Sequence, residues 1–250
     1  VRVLFLLLAF FALTAQRDPI LVPEISQHEI QVRQGFTGQE LLLFGAILEP
    51  DGTGGGRDYD IVVVLKGPTE AVEVREKARV AGIWINADNT AFRSAPSYYS
   101  VVSSRPIAEI VDAKTAAIYE LGLDWLQLSP IGVIDLEEQA RFSAGLVDLR
   151  KRQGLYQQVD DGVRISEQVL YQARIQLPSS VQTGTYTAET FAIIRGRVIA
   201  SATAKVEVRK VGFERLVEVF AHQQSLLYGL LAVAVSILMG WIAGRLFALV

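Results

Sequence analysis

The side chains with the most chemical capacity fall in one stretch between Gly82 and Pro106: Trp84 and Asn86, then Tyr98 and Tyr99, then Ser103, Ser104 and Arg105. Two hydroxyls beside a guanidinium make a donor set suited to an anion. Aromatic rings interleaved with Asn86, Arg93 and Arg105 are the residue types that dominate interface hot spots, because they bury large area at small entropic cost. These residues therefore predict a ligand or partner surface built from Trp84, Asn86, Tyr98, Tyr99, Ser103, Ser104 and Arg105. Ordinary structural roles compete with that reading. Ser103 or Ser104 is placed to cap a helix opening at Pro106, and Trp84, between Ile83 and Ile85, occupies a position that a strand can bury in a core.

Other constellations point away from catalysis. The chain has no cysteine and two histidines, which excludes thiolate zinc sites, disulfide scaffolds and cysteine nucleophiles, and argues against a multi-histidine metal centre. No GxSxG elbow or SxxK pair occurs. Gly52 to Gly56 leads through Arg57, Asp58 and Tyr59 into a strand rather than into Lys-Ser/Thr and a helix, so it reads as a hairpin loop and not a phosphate cradle. Asp51, Asp58 and Asp60 miss the calcium-loop spacing. His28 shares strand phase with Ile30 and Val32 and is expected to tuck partly inward. His222, just before an apolar run, reads as an interfacial polar residue. No cofactor, no metal and no enzymatic activity are expected, and a net charge of −3 without a basic cluster argues against nucleic acid.

The elements that would position these residues are framed by two apolar ends, which lift the mean hydropathy to +0.29. Arg2, the run Val3 to Leu13, small Thr14 and Ala15, and then Gln16 to Pro19 follow the layout of a secretory signal peptide cut after Ala15. Leu13 fits that cut poorly, so a nearby cut or an uncleaved anchor stays open. Leu226 to Ala243 is 18 residues without a charge, about 27 Å as a helix, which matches one transmembrane span. Tyr228 and Trp241 sit near its ends and Arg245 can snorkel to the far surface. Positive charges flank the span on both sides. The signal peptide therefore sets the expected orientation, because long domains translocate largely regardless of charge: the bulk of the chain periplasmic, the C-terminus cytoplasmic, the span in a bacterial inner membrane.

Between the ends, period-two alternation predicts strands at Glu29 to Arg33, Glu40 to Ile47, Val72 to Arg75, Gly82 to Asn86, Tyr98 to Val102, Ile165 to Leu177 and Val198 to Val208. Glu167 is the one charged exception in its strand. Ile61 to Leu65, apolar throughout, suits a strand covered on both faces. Arg195 and Gly196 close a hairpin, and Tyr186 after the Pro178 to Gly184 turn resembles the tyrosine corner of immunoglobulin-like sandwiches. Ile107, Val111, Ile118 and Leu121 repeat at helical spacing after Pro106, with Gly122 as the stop. Asp135 and Glu138 open a second helix to about Gln153, with Glu137/Arg141 and Asp148/Arg152 as surface pairs.

The expected fold is mainly β: an immunoglobulin-like β-sandwich with a helical insertion, plus one C-terminal transmembrane helix. The divisions are residues 1–15 signal peptide, 16–105 strands, 106–160 helical insertion, 161–211 strands completing the sandwich, 212–225 juxtamembrane connector and 226–247 span. Glu214 to His222 in the connector is amphipathic, either lying on the membrane or extending the span outward as a stalk. Gly240 and Gly244 form a GxxxG, which permits helix pairing.

Gly35-Phe36-Thr37-Gly38, the Ala81-to-Pro106 stretch with its Gly82-Ile83-Trp84-Ile85-Asn86, Phe92, Pro96-Ser97-Tyr98-Tyr99 and Ser103-Ser104-Arg105-Pro106, Tyr228-Gly229 and Gly240-Trp241 together resemble an uncharacterised, chiefly alphaproteobacterial family of predicted transmembrane proteins (Alph_Pro_TM) along essentially the whole chain. The resemblance implies an exported, single-span protein without an established activity, and hints at a transporter partner of the sulfite-exporter permease type. The expectation is a membrane-anchored periplasmic accessory or interaction protein, in contact with the lipid bilayer and another membrane protein. The alternative is a periplasmic small-ligand or anion binder at Arg105.

Overall fold

The computed structural model describes residues 19–33, 35–49, 58–132, 134–212, 217 and 220–247. The proposed signal peptide, Asp51 with the Gly52 to Gly56 loop, and connector residues Glu214, Arg215, Leu216, Glu218 and Val219 lie outside the described residues. The chain is mainly β, with one C-terminal apolar helix. A four-stranded sheet runs β1 (Ile20–Ile25), β3 (Gly38–Leu48), β10 (Leu170–Pro178), β9 (Val163–Ser166). A six-stranded sheet runs β2 (Glu29–Val32), β12 (Arg197–Lys210), β11 (Gly184–Ile194), β4 (Asp60–Lys66), β7 (Tyr99–Ser103), β8 (Tyr156–Val159). The third sheet is a hairpin of β5 (Thr69–Val80) and β6 (Ile83–Pro96).

The alternation of each strand decides which sheet face it buries. In β3, Leu41, Leu43 and Ile47 are buried while Phe44 and Leu48 are exposed. Gly45 continues the buried phase because nothing larger fits: a Cβ there would lie 2.3 Å from the Val22 carbonyl and 2.5 Å from the Tyr171 hydroxyl. Ile61 to Leu65 in β4 are buried on both sides, as a continuous apolar run requires. Pairing sets Ile61, Val63 and Leu65 in phase with Ala192, Thr190 and Ala188 of β11. The Tyr171 hydroxyl of β10 donates to Thr190 Oγ1 at 3.5 Å, so this face looks at the four-stranded sheet. Val62 is in phase with Phe191 on the opposite face, where Tyr119 packs edge-on against Phe191 at 5.5 Å. The helical insertion therefore covers the outer face of the larger sheet.

The insertion begins with two short helices, α1 (Ile107–Ile110) and α2 (Ala113–Tyr119), rather than one. Val111 turns extended, and the Asp112 carboxylate restarts the helix by accepting from the Thr115 amide at 2.9 Å. Glu120, in the left-handed conformation, ends α2 where Gly122 was expected to; Gly122 precedes a 3₁₀ turn at Leu123–Trp125. Asp135 caps α3 (Leu136–Arg152) through the Glu138 amide, as its sequence predicts. Asp148 and Arg152 pair along α3, whereas Arg141 turns away from Glu137 and reaches the hairpin instead. The chain returns as β8, parallel to β7.

Ile165 to Leu177 is two strands, not one. Glu167 and Gln168 both adopt positive φ, 51° and 54°, so the charged exception in the alternation is the turn itself, joining β9 to β10. Arg195 and Gly196 close β11 to β12 with the same geometry. The strands at Val72 to Arg75 and Gly82 to Asn86 are pieces of the much longer β5 and β6, and β1 and β8 carried too few alternating positions to stand out. His28 is exposed in the turn before β2, 3.1 Å from Glu24, and not tucked inward.

In the second compact unit, residues 31–36 and 209–250, the Val211 amide donates to the Val32 carbonyl. Its main element is α4 (Ser225–Phe247). Ser225–Arg245 has a mean hydropathy of 2.2 and no buried residue, and by length and composition it is a candidate membrane span. Phe220 to Gln223 are helical, and the Gln224 amide to Phe220 and Tyr228 amide to Gln224 bonds carry the backbone ladder across a bend at Gln224.

Candidate functional site

The predicted site residues go to three different places. Tyr98 and Tyr99 are buried. The Tyr98 hydroxyl donates to the Gln176 carbonyl at 2.9 Å and its ring tilts against Tyr186 at 6.0 Å. The Tyr99 hydroxyl donates to the Glu120 carbonyl and its ring meets Tyr156 edge-on. Burial pushes both phenols well above the ordinary tyrosine range. They bind the two sheets and the insertion together and offer nothing to a ligand. Tyr186 donates to the Gln182 carbonyl, four residues upstream, at 2.9 Å.

Ser103, Ser104 and Arg105 form a second group at the far end of β7, with their donors committed to carboxylates. Arg105 grips Asp60 through Nε and Nη2 at 2.8 and 2.6 Å, and Glu109 stands 3.7 Å from Nη1. The hydrogen bonds and charge of Asp60 hold the guanidinium above its usual pKa. Ser104 donates to Asp60 at 3.2 Å and accepts from the Ile61 amide, and Ser103 donates to Asp160 at 3.3 Å. Neither serine caps the helix, whose N-cap is Pro106 without a side-chain bond. The arrangement splices the start of β4 to the end of β7, and the charge offered to an anion is already neutralised.

Trp84 and Asn86 lie on the hairpin. Its base is a small core of its own: Phe92, Ala95, Leu128, Phe142 and Leu146, flanked by Val72, Val74 and Val147. Backbone bonds from Arg93 to Ser129 and from Ile131 to Ala91 lay the 129–131 segment beside β6. Arg141 of α3 reaches Glu76 and Asp88, one on each strand, at 3.2 Å, with its guanidinium 5.4 Å over the Phe142 ring. Arg150 pairs with Glu70 nearer the sandwich. Among the described residues, the contacts of α3 with the hairpin reach as far as Glu76 and Asp88.

About four residues of each strand project past these anchors, roughly 14 Å. Ala81 and Gly82, both at positive φ, make the turn. Register places Val80 opposite Ile83 and Ala78 opposite Ile85 on one face, with Arg79 opposite Trp84 and Lys77 opposite Asn86 on the other. Ile83 and Trp84 are each 67% exposed. The core position open to Trp84 in the sequence is not the one it takes, because the strand containing it belongs to an arm and not to the sandwich.

Concavities among the described residues include one beside the hairpin and one over the larger sheet. A groove of about 410 Å³ runs between β5 and α3, lined by Val74, Phe142 and Leu149 with Arg75, Asp148 and Arg152 at its edge. A cleft of about 370 Å³ lies over β4 and β11, where Lys66 sits 2.5 Å from Glu120 and 3.9 Å from Glu189 beside Tyr119 and Phe191. No group of three or more metal-ligating side chains occurs among the described residues.

No curated protein matches the chain. The family described as "Putative transmembrane protein (Alph_Pro_TM)" matches residues 20–248, a span that takes in the sandwich, the hairpin arm, the helical insertion and α4. The chain belongs to this transmembrane protein family.

Proposed function

We propose that the protein is a non-enzymatic, membrane-anchored accessory module. Its β region stands on the periplasmic side of a bacterial inner membrane, α4 holds it there with the C-terminus cytoplasmic, and it engages a second membrane protein, with a permease of the sulfite-exporter type as first candidate. The β region is of immunoglobulin-like type. The order β1-β3-β10-β9 against β12-β11-β4 supports this by matching the A-B-E-D and G-F-C sheets of that fold, and the Tyr186 hydrogen bond supports it further.

The observation that carries the functional reading is the groove between β5 and α3. It is lined by apolar Val74, Phe142 and Leu149, the last half exposed, together with charges of both signs in Arg75, Glu76, Arg141, Asp148 and Arg152. Apolar side chains interleaved with arginines and carboxylates are residue types that protein interfaces use. The test is a photo-crosslinking residue at Leu149 or Arg152 in the full chain, expressed at native level and solubilised in mild detergent. A single membrane-protein adduct in stoichiometric yield is expected. Recovery of uncrosslinked monomer alone overturns the proposal.

A further inference from the structure

The hairpin tip differs from the groove in chemistry, and it is accounted for neither by the sandwich nor by the proposed protein contact. Between the anchors at Glu76 and Asp88, residues Lys77 to Ala87 contain two cations and no carboxylate. Among the described residues no acidic side chain pairs with Lys77 or Arg79; Arg79 Nε donates to the Gly82 carbonyl at 3.3 Å, within the turn itself. Four large apolar side chains, Val80, Ile83, Trp84 and Ile85, stand exposed at 45–67% on an arm that α3 braces only at its base.

We propose that this tip docks on the anionic headgroup surface of a phospholipid bilayer. The two faces set by the register divide the work. Ala78, Val80, Ile83 and Ile85 form an apolar strip able to enter the boundary of the acyl region. Lys77 and Arg79 share the other face with Trp84, and their long stems reach lipid phosphates while the indole takes the headgroup level. A second copy is a poor occupant, since a two-fold pairing of tips sets cations against cations. A protein occupant would need a dedicated acidic pocket, whereas an anionic bilayer supplies charge and apolar depth together. The chain already carries a candidate membrane span in α4, so a bilayer is within its ordinary surroundings. The brace by Arg141 and Arg150 gives the arm a reason to be stiff: a shaft held on both strands keeps the tip extended instead of letting it fold back to bury its own apolar strip.

The test uses the full chain with Ile83→Cys as its single cysteine, labelled with an environment-sensitive fluorophore and reconstituted into nanodiscs. One preparation contains phosphatidylglycerol with phosphatidylcholine. The other is phosphatidylcholine alone, later mixed with phosphatidylglycerol vesicles. The expected result is a blue shift and quenching by brominated lipid wherever phosphatidylglycerol is present. Replacing both cations (Lys77→Glu with Arg79→Glu) should lower that partitioning at least about 25-fold, near fivefold per cation removed. Both side chains are exposed, so the fold survives, and a label at Ser179→Cys on the sandwich should report no change. Emission that stays aqueous and iodide-accessible in both preparations overturns the proposal. So does equal burial in pure phosphatidylcholine, and so does a third arm, the same labelled chain in native membranes, if it alone shields the label, which would make a protein the occupant. The crosslink at Leu149 reads the groove independently, so failure of one proposal leaves the other standing.

Discussion

Leu146→Ala tests whether the hairpin and α3 form a unit whose stability is its own. Leu146 is fully buried among Phe92, Ala95, Leu128 and Phe142. Truncation removes three carbons, about 2.4 kcal/mol of transfer free energy at ~0.8 kcal/mol each, and the cavity left behind brings the loss to about 3–4 kcal/mol. The ion pairs at Arg141 cannot make up the difference, because they are half exposed and such pairs contribute only about 0.2–1 kcal/mol each. Hydrogen exchange of the full chain in detergent is the assay. Amides of β5 and β6 should lose protection by more than about a hundredfold, while amides of β4 and β11, at the centre of the larger sheet, change little. Leu149→Ala, on the same helix but facing the groove, should cost less than about 1 kcal/mol. Equal loss of protection in hairpin and sandwich would refute the separation of the two cores, and no loss in either would refute the packing of α3 on the hairpin.

Gly45→Ala forces a Cβ against the Val22 carbonyl and the Tyr171 hydroxyl, so urea unfolding should show a loss of about 2–4 kcal/mol; a loss under about 0.5 kcal/mol would contradict the close approach of β1, β3 and β10. Arg195→Asn creates the Asn-Gly pair that a turn with two positive-φ residues prefers, and the same measurement should show a gain of about 0.5 kcal/mol. The buried tyrosines make the fold sensitive to alkali. Burial pushes Tyr186 up to about 12, and Tyr98, Tyr99 and Tyr156 rise with it. The unfolded chain releases these protons near pH 10 while the folded chain keeps them, so their contribution is intact below pH 10 and is lost as pH rises through about 12. Tyrosinate absorbance from these residues should therefore appear only with unfolding, and titration near pH 10 inside an intact fold would refute their burial.

What the sequence disclosed was whatever a single strand or helix states by itself. Val198 to Val208 alternates cleanly, Ile61 to Leu65 is apolar throughout, and Asp135 with Glu138 marks a helix start; each became the element its pattern describes. The hairpin was less legible because its two strands face water over much of their length, so neither sustains the alternation that burial imposes. Its strongest marker, Ala81-Gly82 between Arg79-Val80 and Ile83-Trp84, is a two-residue turn that becomes conspicuous only once both flanks are seen to pair. The same limit scattered the candidate site. Trp84, Tyr98 and Arg105 are near in sequence, but β6 and β7 carry them to an exposed tip, a core and a strand end. Arg105 looked available because its partner, Asp60, lies 45 residues away. The roles of Arg141 and Arg150 were equally hidden, since an arginine on a helix reads as a surface residue until the strand it braces is in place.

Topology in the membrane carries everything else. Because the chain has no cysteine, Ser179→Cys, at an exposed turn of the sandwich, gives a single reactive site without further changes. Labelling with a membrane-impermeant maleimide on intact spheroplasts, followed by alkaline carbonate extraction, reads sidedness and anchoring in one sample. Labelling before lysis and retention in the membrane pellet are expected. Labelling only after lysis, or release of the labelled chain by carbonate, would contradict the proposed topology.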